Sequence, residues 1–358
     1  MYLSTIKAYM TEEQIRSLDI SDMYGVLKDF HLQIEDAVRI SGEVILPAID
    51  KSSISNIIIN GLGGSAIGGD FVRSAVQYEL NIPVAVNRNY DLPSYATKNT
   101  LCFVSSYSGN TEETISTFKQ SLERDCKIIC ITSGGEVSKL AESNGIPVIL
   151  IPEGLQPRCA LGYSFFVLYG LFQKLGFIGD KSDLTQATIS SIRNLSGLYS
   201  DFGNSSNTAE IIAGKLYGKL PIVYSADILD VVNLRWRGQL SENSKVLAYG
   251  SLYPEMNHNE LVGWKGNEQI MSNIAVIMLK DTDDHERNKL RMDITGEIYR
   301  KYASSVTELQ AGGKSKLERI FELTYLGDWV SFYLAILNNE DPTPVKVIQH
   351  LKQKLSEN

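Results

Sequence analysis

The sequence predicts an α/β protein of two units. Each is a three-layer α/β/α domain on a parallel sheet, with extra N-terminal helices and a C-terminal helix. Two patterns carry this prediction. Short apolar runs rich in β-branched residues alternate with helix-length segments, and the alternation begins afresh after a polar stretch near mid-chain. The length of 358 residues agrees, since it suits about two domains. The expected boundaries are 1–50 for a helical lead, 51–178 for the first domain, 179–205 for a linker helix region and 206–358 for the second domain.

In the lead, Phe30, Ile34, Ala37 and Val38 share one helix face before Pro47 stops it. Asn56–Asn60 reads as a buried parallel strand, and a Gly-rich turn feeds a helix from Ser65 to Leu80. Ile82–Val86, Leu101–Ser106, Lys127–Thr132 and Pro147–Ile151 follow as strands. Helices Thr111–Leu122 and Glu136–Ser143 lie between them, and a long helix Ala160–Leu175 comes after. The stretch 176–205, rich in Ser, Asn and Gly, holds a helix at Thr185–Tyr199. Leu220–Tyr224, Val246–Tyr249, Ile274–Leu279 and Ser305–Leu309 are the second set of strands. Ile320–Leu337 is a long apolar helix, and Val345–Leu355 an amphipathic one. The matching order of the two halves suggests a duplicated fold without a residue-level repeat.

Composition excludes several classes. A hydrophobic content of 43% argues against disorder. With 34 basic and 42 acidic residues the net charge is −8, which disfavours a nucleic-acid partner but not a small anionic substrate. Cys102, Cys126, Cys130 and Cys159 form no CxxC pair, so free thiols in a reducing compartment are expected. No secretory signal opens the chain, and apolar runs such as Ile146–Ile151 and Phe165–Leu171 are too short to span a bilayer. A cytoplasmic protein without a membrane partner is the expectation. No His, Cys and carboxylate cluster has ligand spacing, so neither metal nor cofactor is expected.

Two loops at strand ends could hold an anion. Gly61-Leu-Gly-Gly-Ser-Ala-Ile-Gly-Gly-Asp70 leaves backbone N–H groups accessible at a helix start, with Gly64 and Ser65 at its centre. Gly61, Gly63 and Ala66 also fit a dinucleotide fingerprint. That motif wants an acid after the next strand, where this chain has Asn87. Ser105-Ser-Tyr-Ser-Gly-Asn-Thr-Glu-Glu-Thr114 offers the hydroxyls of Ser106, Ser108 and Thr111, although a plain Ser/Thr helix cap would look the same. Two such loops at successive strand ends suit a phosphate monoester.

These loops resemble the sugar isomerase (SIS) domain, whose S-x-S-G-x-T loop here is Ser106-Tyr-Ser-Gly-Asn-Thr111. Further motifs sharpen the resemblance to the bifunctional phosphoglucose/phosphomannose isomerase family: Pro152-Glu-Gly-Leu-Gln-Pro-Arg-Cys-Ala-Leu-Gly-Tyr163, Arg237-Gly-Gln-Leu-Ser-Glu-Asn-Ser-Lys245 and Pro254-Glu-Met-Asn-His-Asn-Glu-Leu-Val-Gly-Trp264. The resemblance implies two SIS-type domains and an aldose–ketose isomerase acting on a phosphorylated hexose. It also implies roles. Arg158 would stabilise the charge of an enediolate, and Glu242 would move the proton between C1 and C2, with Glu255 and Glu260 as rivals. His258 would open the ring, reaching the site from the partner subunit of a homodimer. A lysine of the last helix, Lys352 or alternatively Lys354, would assist, and Thr343 could face the site or cap that helix. Two other classes remain open: a non-catalytic sugar-phosphate sensor and an amino-sugar-phosphate isomerase. The sensor would lack the Glu242 and His258 motifs. The glutamine-using amino-sugar enzymes need Cys at position 2, where this chain has Tyr2.

Overall fold

Continuous apolar runs become strands buried on both faces, and the mixed segments between them become the covering helices. The computed structural model describes residues 11–357, so Met1–Met10 of the expected lead lies outside the described residues. The chain divides into two compact units. One is 29–190; the other is 191–358 with the N-terminal segment that ends at Lys28. The division therefore falls inside the expected lead and inside the helix Ser182–Tyr199.

In unit 29–190, β1 (Asn56–Asn60), β2 (Val84–Asn87), β3 (Thr100–Ser106), β4 (Lys127–Thr132) and β5 (Val148–Leu150) form one sheet in the order β2-β1-β3-β4-β5. All pairings are parallel. β1 and β3 are fully buried, while the short edge strands are only partly so. The order reverses between β1 and β3, so the loops leaving those two strands flank a crevice at the sheet's C-terminal edge. The helix after β1 is Gly63–Val76, starting and ending earlier than expected. β2 begins at Val84 because Pro83 has no N–H, although its carbonyl still accepts from Ile57. The long helix after the Arg158 segment contains a π-helical stretch, Tyr163–Val167, before Leu168–Lys174.

In the other unit, β6 (Leu220–Ser225), β7 (Tyr249–Leu252), β8 (Ile274–Lys280) and β9 (Ser305–Gln310) pair in parallel in the order β7-β6-β8-β9. The first four strands of each unit thus have the same order, as a duplicated fold requires. β7 lies later than the expected Val246–Tyr249. The apolar run 246–248 precedes the first residue that pairs with β6, at Ile222↔Tyr249.

The helix Lys316–Leu337 is the core of this unit. Its start is fixed by a capping box between Ser315 and Glu318. By length and composition it could cross a membrane, but 89% of its apolar window is buried inside the fold. It holds the helix Asp230–Glu242 by several bonds. Arg235 Nε and Nη2 reach the two Asp328 carboxylate oxygens at 3.0 and 2.8 Å, and Gln239 Nε2 donates to the same carboxylate at 3.0 Å. Trp236 Nε1 donates to the Leu323 carbonyl at 2.8 Å, and a Cβ at Gly327 would collide with that indole.

Asp328→Ala would remove the carboxylate that both Arg235 and Gln239 bond in the buried interior. The expected loss is about 3–5 kcal/mol of stability, read from the midpoint of urea unfolding followed by far-UV circular dichroism.

Candidate active site

In unit 29–190, glycines draw three segments together. A Cβ on Gly61 would come 2.8 Å from the Ser105 carbonyl oxygen, and one on Gly64 would strike the Pro157 carbonyl. Gly109, at φ +67°, lies against the Gly134 carbonyl, so neither a side chain nor another backbone shape fits there. The loop after β1, the loop after β3 and the Pro157–Cys159 turn thus meet backbone to backbone. Sequence reasoning placed Gly64, Ser65, Ser106, Ser108, Thr111 and Arg158 in one site, and these six lie in these three segments.

Ser65, Ser108 and Thr111 accept here and keep their O–H groups, while Ser106 gives its hydrogen to Thr111. Ser65 Oγ accepts the Tyr107 N–H at 3.0 Å, Thr111 Oγ1 accepts from Ser106 Oγ at 3.2 Å, and Ser108 Oγ accepts the Asn110 N–H at 3.3 Å. An accepting hydroxyl still has an O–H to donate. Thr111 occupies the N-cap position of the helix Glu112–Glu123 but makes no capping bond. The plain helix-cap reading therefore fails at the hydroxyl it needs most. Asn87 donates to Asn60 Oδ1 at 3.0 Å and to the Asp91 carbonyl at 3.1 Å, a strand-end tie rather than a ribose acceptor.

Arg158 sits in a tight turn opened by Pro157 and is 5% exposed. Sequence reasoning missed what holds this segment. Tyr107 donates its hydroxyl to the Pro152 carbonyl at 2.9 Å and accepts the Leu155 N–H at 3.0 Å. Burial pushes the Tyr107 phenol above its ordinary pKa, so the donor stays protonated. On the far side Gln33 bonds the Cys159 carbonyl and the Gly162 N–H. Tyr107 was visible only as the x of the loop motif, and Gln33 only as a polar residue on an amphipathic helix.

In the other unit, Glu242 ends the helix Asp230–Glu242 and lines a cavity of about 530 Å³ with Lys245, Leu247, Asp341 and Ile348. Lys245, at φ +58°, turns its ammonium back onto the carbonyls of Glu242 and Pro342, at 2.6 and 3.2 Å, which closes the helix end. Residues just past the helix are fixed too. Asn243 Nδ2 donates to Ser331 Oγ at 3.0 Å and Ser244 Oγ to the Ser331 carbonyl at 2.7 Å. The carboxylate is therefore presented from a rigid support.

His258 is exposed at the end of a short turn, Glu255–His258, that rests on a buried aromatic cluster. Tyr253 bonds Thr295 at 2.6 Å, and Tyr224 stacks on Tyr299 at 5.1 Å between ring centres. Glu260 is engaged by the hydroxyls of Tyr224 and Tyr249. Burial, then Glu260, raises the Tyr224 pKa, which keeps that hydroxyl a donor. Glu260 is thus an anchor for the His258 segment, while Glu255 accepts from Asn259 at 3.2 Å. Of the three acids weighed as base, Glu242 lines this cavity, and Glu255 and Glu260 do not.

Lys352 is exposed on the terminal helix Lys346–Ser356. It lies one turn beyond Ile348, so the two share a face, and Ile348 lines the Glu242 cavity. Lys354 pairs with Glu357 at 2.8 Å. Thr343 is buried, and its N–H donates to Asp341 at 2.9 Å. The helix begins after Val345 without a side-chain cap, so Thr343 does not cap it.

Residues 52–153 match the SIS domain model, and residues 205–355 match that of the bacterial phospho-glucose isomerase C-terminal SIS domain. The chain is 46% identical over 327 residues to a bifunctional phosphoglucose/phosphomannose isomerase of Caldicellulosiruptor bescii, covering 91% of this chain and 96% of that one. It belongs to the bifunctional phosphoglucose/phosphomannose isomerase family. A second member, from Aquifex aeolicus, is 36% identical over 94% of this chain and 99% of its own. The fold is also that of the C-terminal domain of glucosamine-fructose-6-phosphate aminotransferase from Francisella tularensis. The TM-score is 0.68 at 14% identity, over 89% of this chain and 97% of that one.

Gly64→Ala is expected to push the Pro157–Cys159 turn away and abolish phosphate binding. Titration with inorganic phosphate, followed by amide shifts of the Ser106–Thr111 loop, checks it. The overpacking should also cost about 1–3 kcal/mol of stability.

Proposed function

We propose that this chain interconverts glucose 6-phosphate and mannose 6-phosphate with fructose 6-phosphate. Two features support the reading in a chain that matches these isomerases over nearly its whole length. One is a set of hydroxyl donors suited to a phosphate monoester. The other is a rigidly presented carboxylate. Ser65, Ser106, Ser108 and Thr111 would hold the phosphate, with Gly64 allowing its approach. His258 and Lys352 would open the ring by moving a proton to the ring oxygen.

Glu242 would then take the proton from C2 of the open aldose and return one to C1. The C2–H and O2–H bonds break, and C1–H and O1–H bonds form as the hydroxyl proton passes from O2 to O1. C1 goes from aldehyde to alcohol as C2 goes from alcohol to ketone, so no outside oxidant or reductant is needed. Arg158 would face the negative charge that builds on the enediolate oxygens. Both aldoses give the same enediolate, so one base can serve both after rotation about C2–C3. The base reading requires that these side chains serve one bound sugar.

The homodimer, with His258 supplied across its interface, rests on the family resemblance. Val262 and Ile270 lie exposed in the segment around His258 and would give such an interface apolar surface to bury. A cytoplasmic location goes with the same reading.

A coupled assay in EDTA, offering each aldose separately, tests the proposal. Turnover of both sugars is expected, and Glu242→Gln should lower kcat by about 10²- to 10⁴-fold. Turnover of glucosamine 6-phosphate alone would favour the amino-sugar reading. Binding without turnover of any sugar would favour the sensor.

A further inference from the structure

Gln33 lies on the helix Phe30–Glu43, far in sequence from every motif, yet it is only 8% exposed. Both ends of its amide are spent on the segment that carries Arg158. Nε2 donates to the Cys159 carbonyl at 3.0 Å, and Oε1 accepts the Gly162 N–H at 2.6 Å. The second bond matters because the helix that follows Arg158 starts here. Gly162 N–H is among the first-turn donors that have no partner within their own helix. Gln33 thus caps that helix from outside while it ties down the carbonyl next to Arg158. The fit is close, since a Cβ on Gly162 would come 2.6 Å from the same Oε1. One side chain thus fixes two points of the backbone, and the first of them directly follows the arginine.

We propose that Gln33 is a positioning residue for Arg158, holding the guanidinium where enediolate charge develops. The assignment rests on the isomerase reading and adds to it a determinant in the N-terminal helix. A side chain acting through Arg158 should affect the charged transition state and spare the phosphate. Gln33→Met keeps the shape and loses both hydrogen bonds. Gln33→Glu keeps the acceptor and sets a carboxylate oxygen against the Cys159 carbonyl. Gly162→Ala displaces Gln33 without altering it.

The experiment measures kcat and KM with glucose 6-phosphate for wild type and these variants, with thermal melting as the fold control. It also compares the affinity for inorganic phosphate with that for a five-carbon aldonate 5-phosphate, whose carboxylate mimics the enediolate. Gln33→Met is expected to lower kcat about 10- to 100-fold, the scale of a misplacement near 1 Å. KM and inorganic phosphate affinity should stay within about threefold of wild type, while the aldonate binds weaker by a factor close to the loss in kcat. In an Arg158→Lys background the same change should cost markedly less, because the two residues act as a unit.

An unchanged kcat, full additivity with Arg158→Lys, or a parallel loss of phosphate and aldonate binding would each overturn the assignment. If Gln33→Met does not fold, Gly162→Ala and Gln33→Glu decide by the same readouts. A wild-type chain inert toward both aldoses would bring down the isomerase reading and this assignment together. An active wild type with an unimpaired Gln33→Met would bring down this assignment alone.

Discussion

The first unit depends on backbone meeting backbone with no side chain between. Gly61 lies against Ser105, Gly64 against Pro157 and Gly109 against Gly134. Each contact brings peptide groups close enough for their N–H and hydroxyl donors to converge. Each also forbids any larger residue. The glycines are therefore a steric requirement of the crevice, and conformational freedom is a secondary matter except where φ is positive. Once these contacts exist, the orientation of Ser65, Ser106 and Thr111 follows from the helices that begin there.

The second unit uses the opposite device. Its functional helix is fixed by side chains that fill space and pair charge: Trp236 against Gly327, and Arg235 with Asp328. A buried pair of this kind contributes little net stability, but it penalises every arrangement that separates the charges. That penalty keeps the helix Asp230–Glu242 in one place. The Glu242 carboxylate stands at the end of a helix whose register against Lys316–Leu337 has little room to slip.

Much of the fold was legible because parallel strands are buried on both faces and leave uninterrupted apolar runs. Asn56–Asn60 and Lys127–Thr132 matched their expected limits for this reason. Val246–Tyr249 did not, because strand limits follow the partner's ladder and not the residue's own preference. The meeting of the loops after β1 and β3 was legible because glycine and hydroxyl residues cluster at both strand ends, where the glycines leave room for close backbone approach. Gln33 was not, because a buried glutamine with tertiary partners shows no local signal; its partners are more than a hundred residues away. The roles of Glu255 and Glu260 were likewise closed to sequence. Which acid is tied to tyrosine hydroxyls depends on strands β6 and β7 lying side by side.

The duplicated sheets present two crevices of the same topology, and their chemistry differs. Where the first has serines and threonine, the loops after β6 and β8 carry Asp227, Asp281, Asp283 and Asp284. Arg319 is already committed to Asp281 and Asp283. Burial holds the Asp284 carboxyl up at about 6, against the Asp281 N–H that donates to it at 2.8 Å and favours its charged form. Carboxylates crowd these strand ends, with Arg319 already paired and Lys289 close enough to act on Asp284. The two halves are thus alike as scaffolds and unlike as hosts. Arg319 ties Asp281 and Asp283 to the helix Lys316–Leu337, so the second copy's strand ends serve as internal cement.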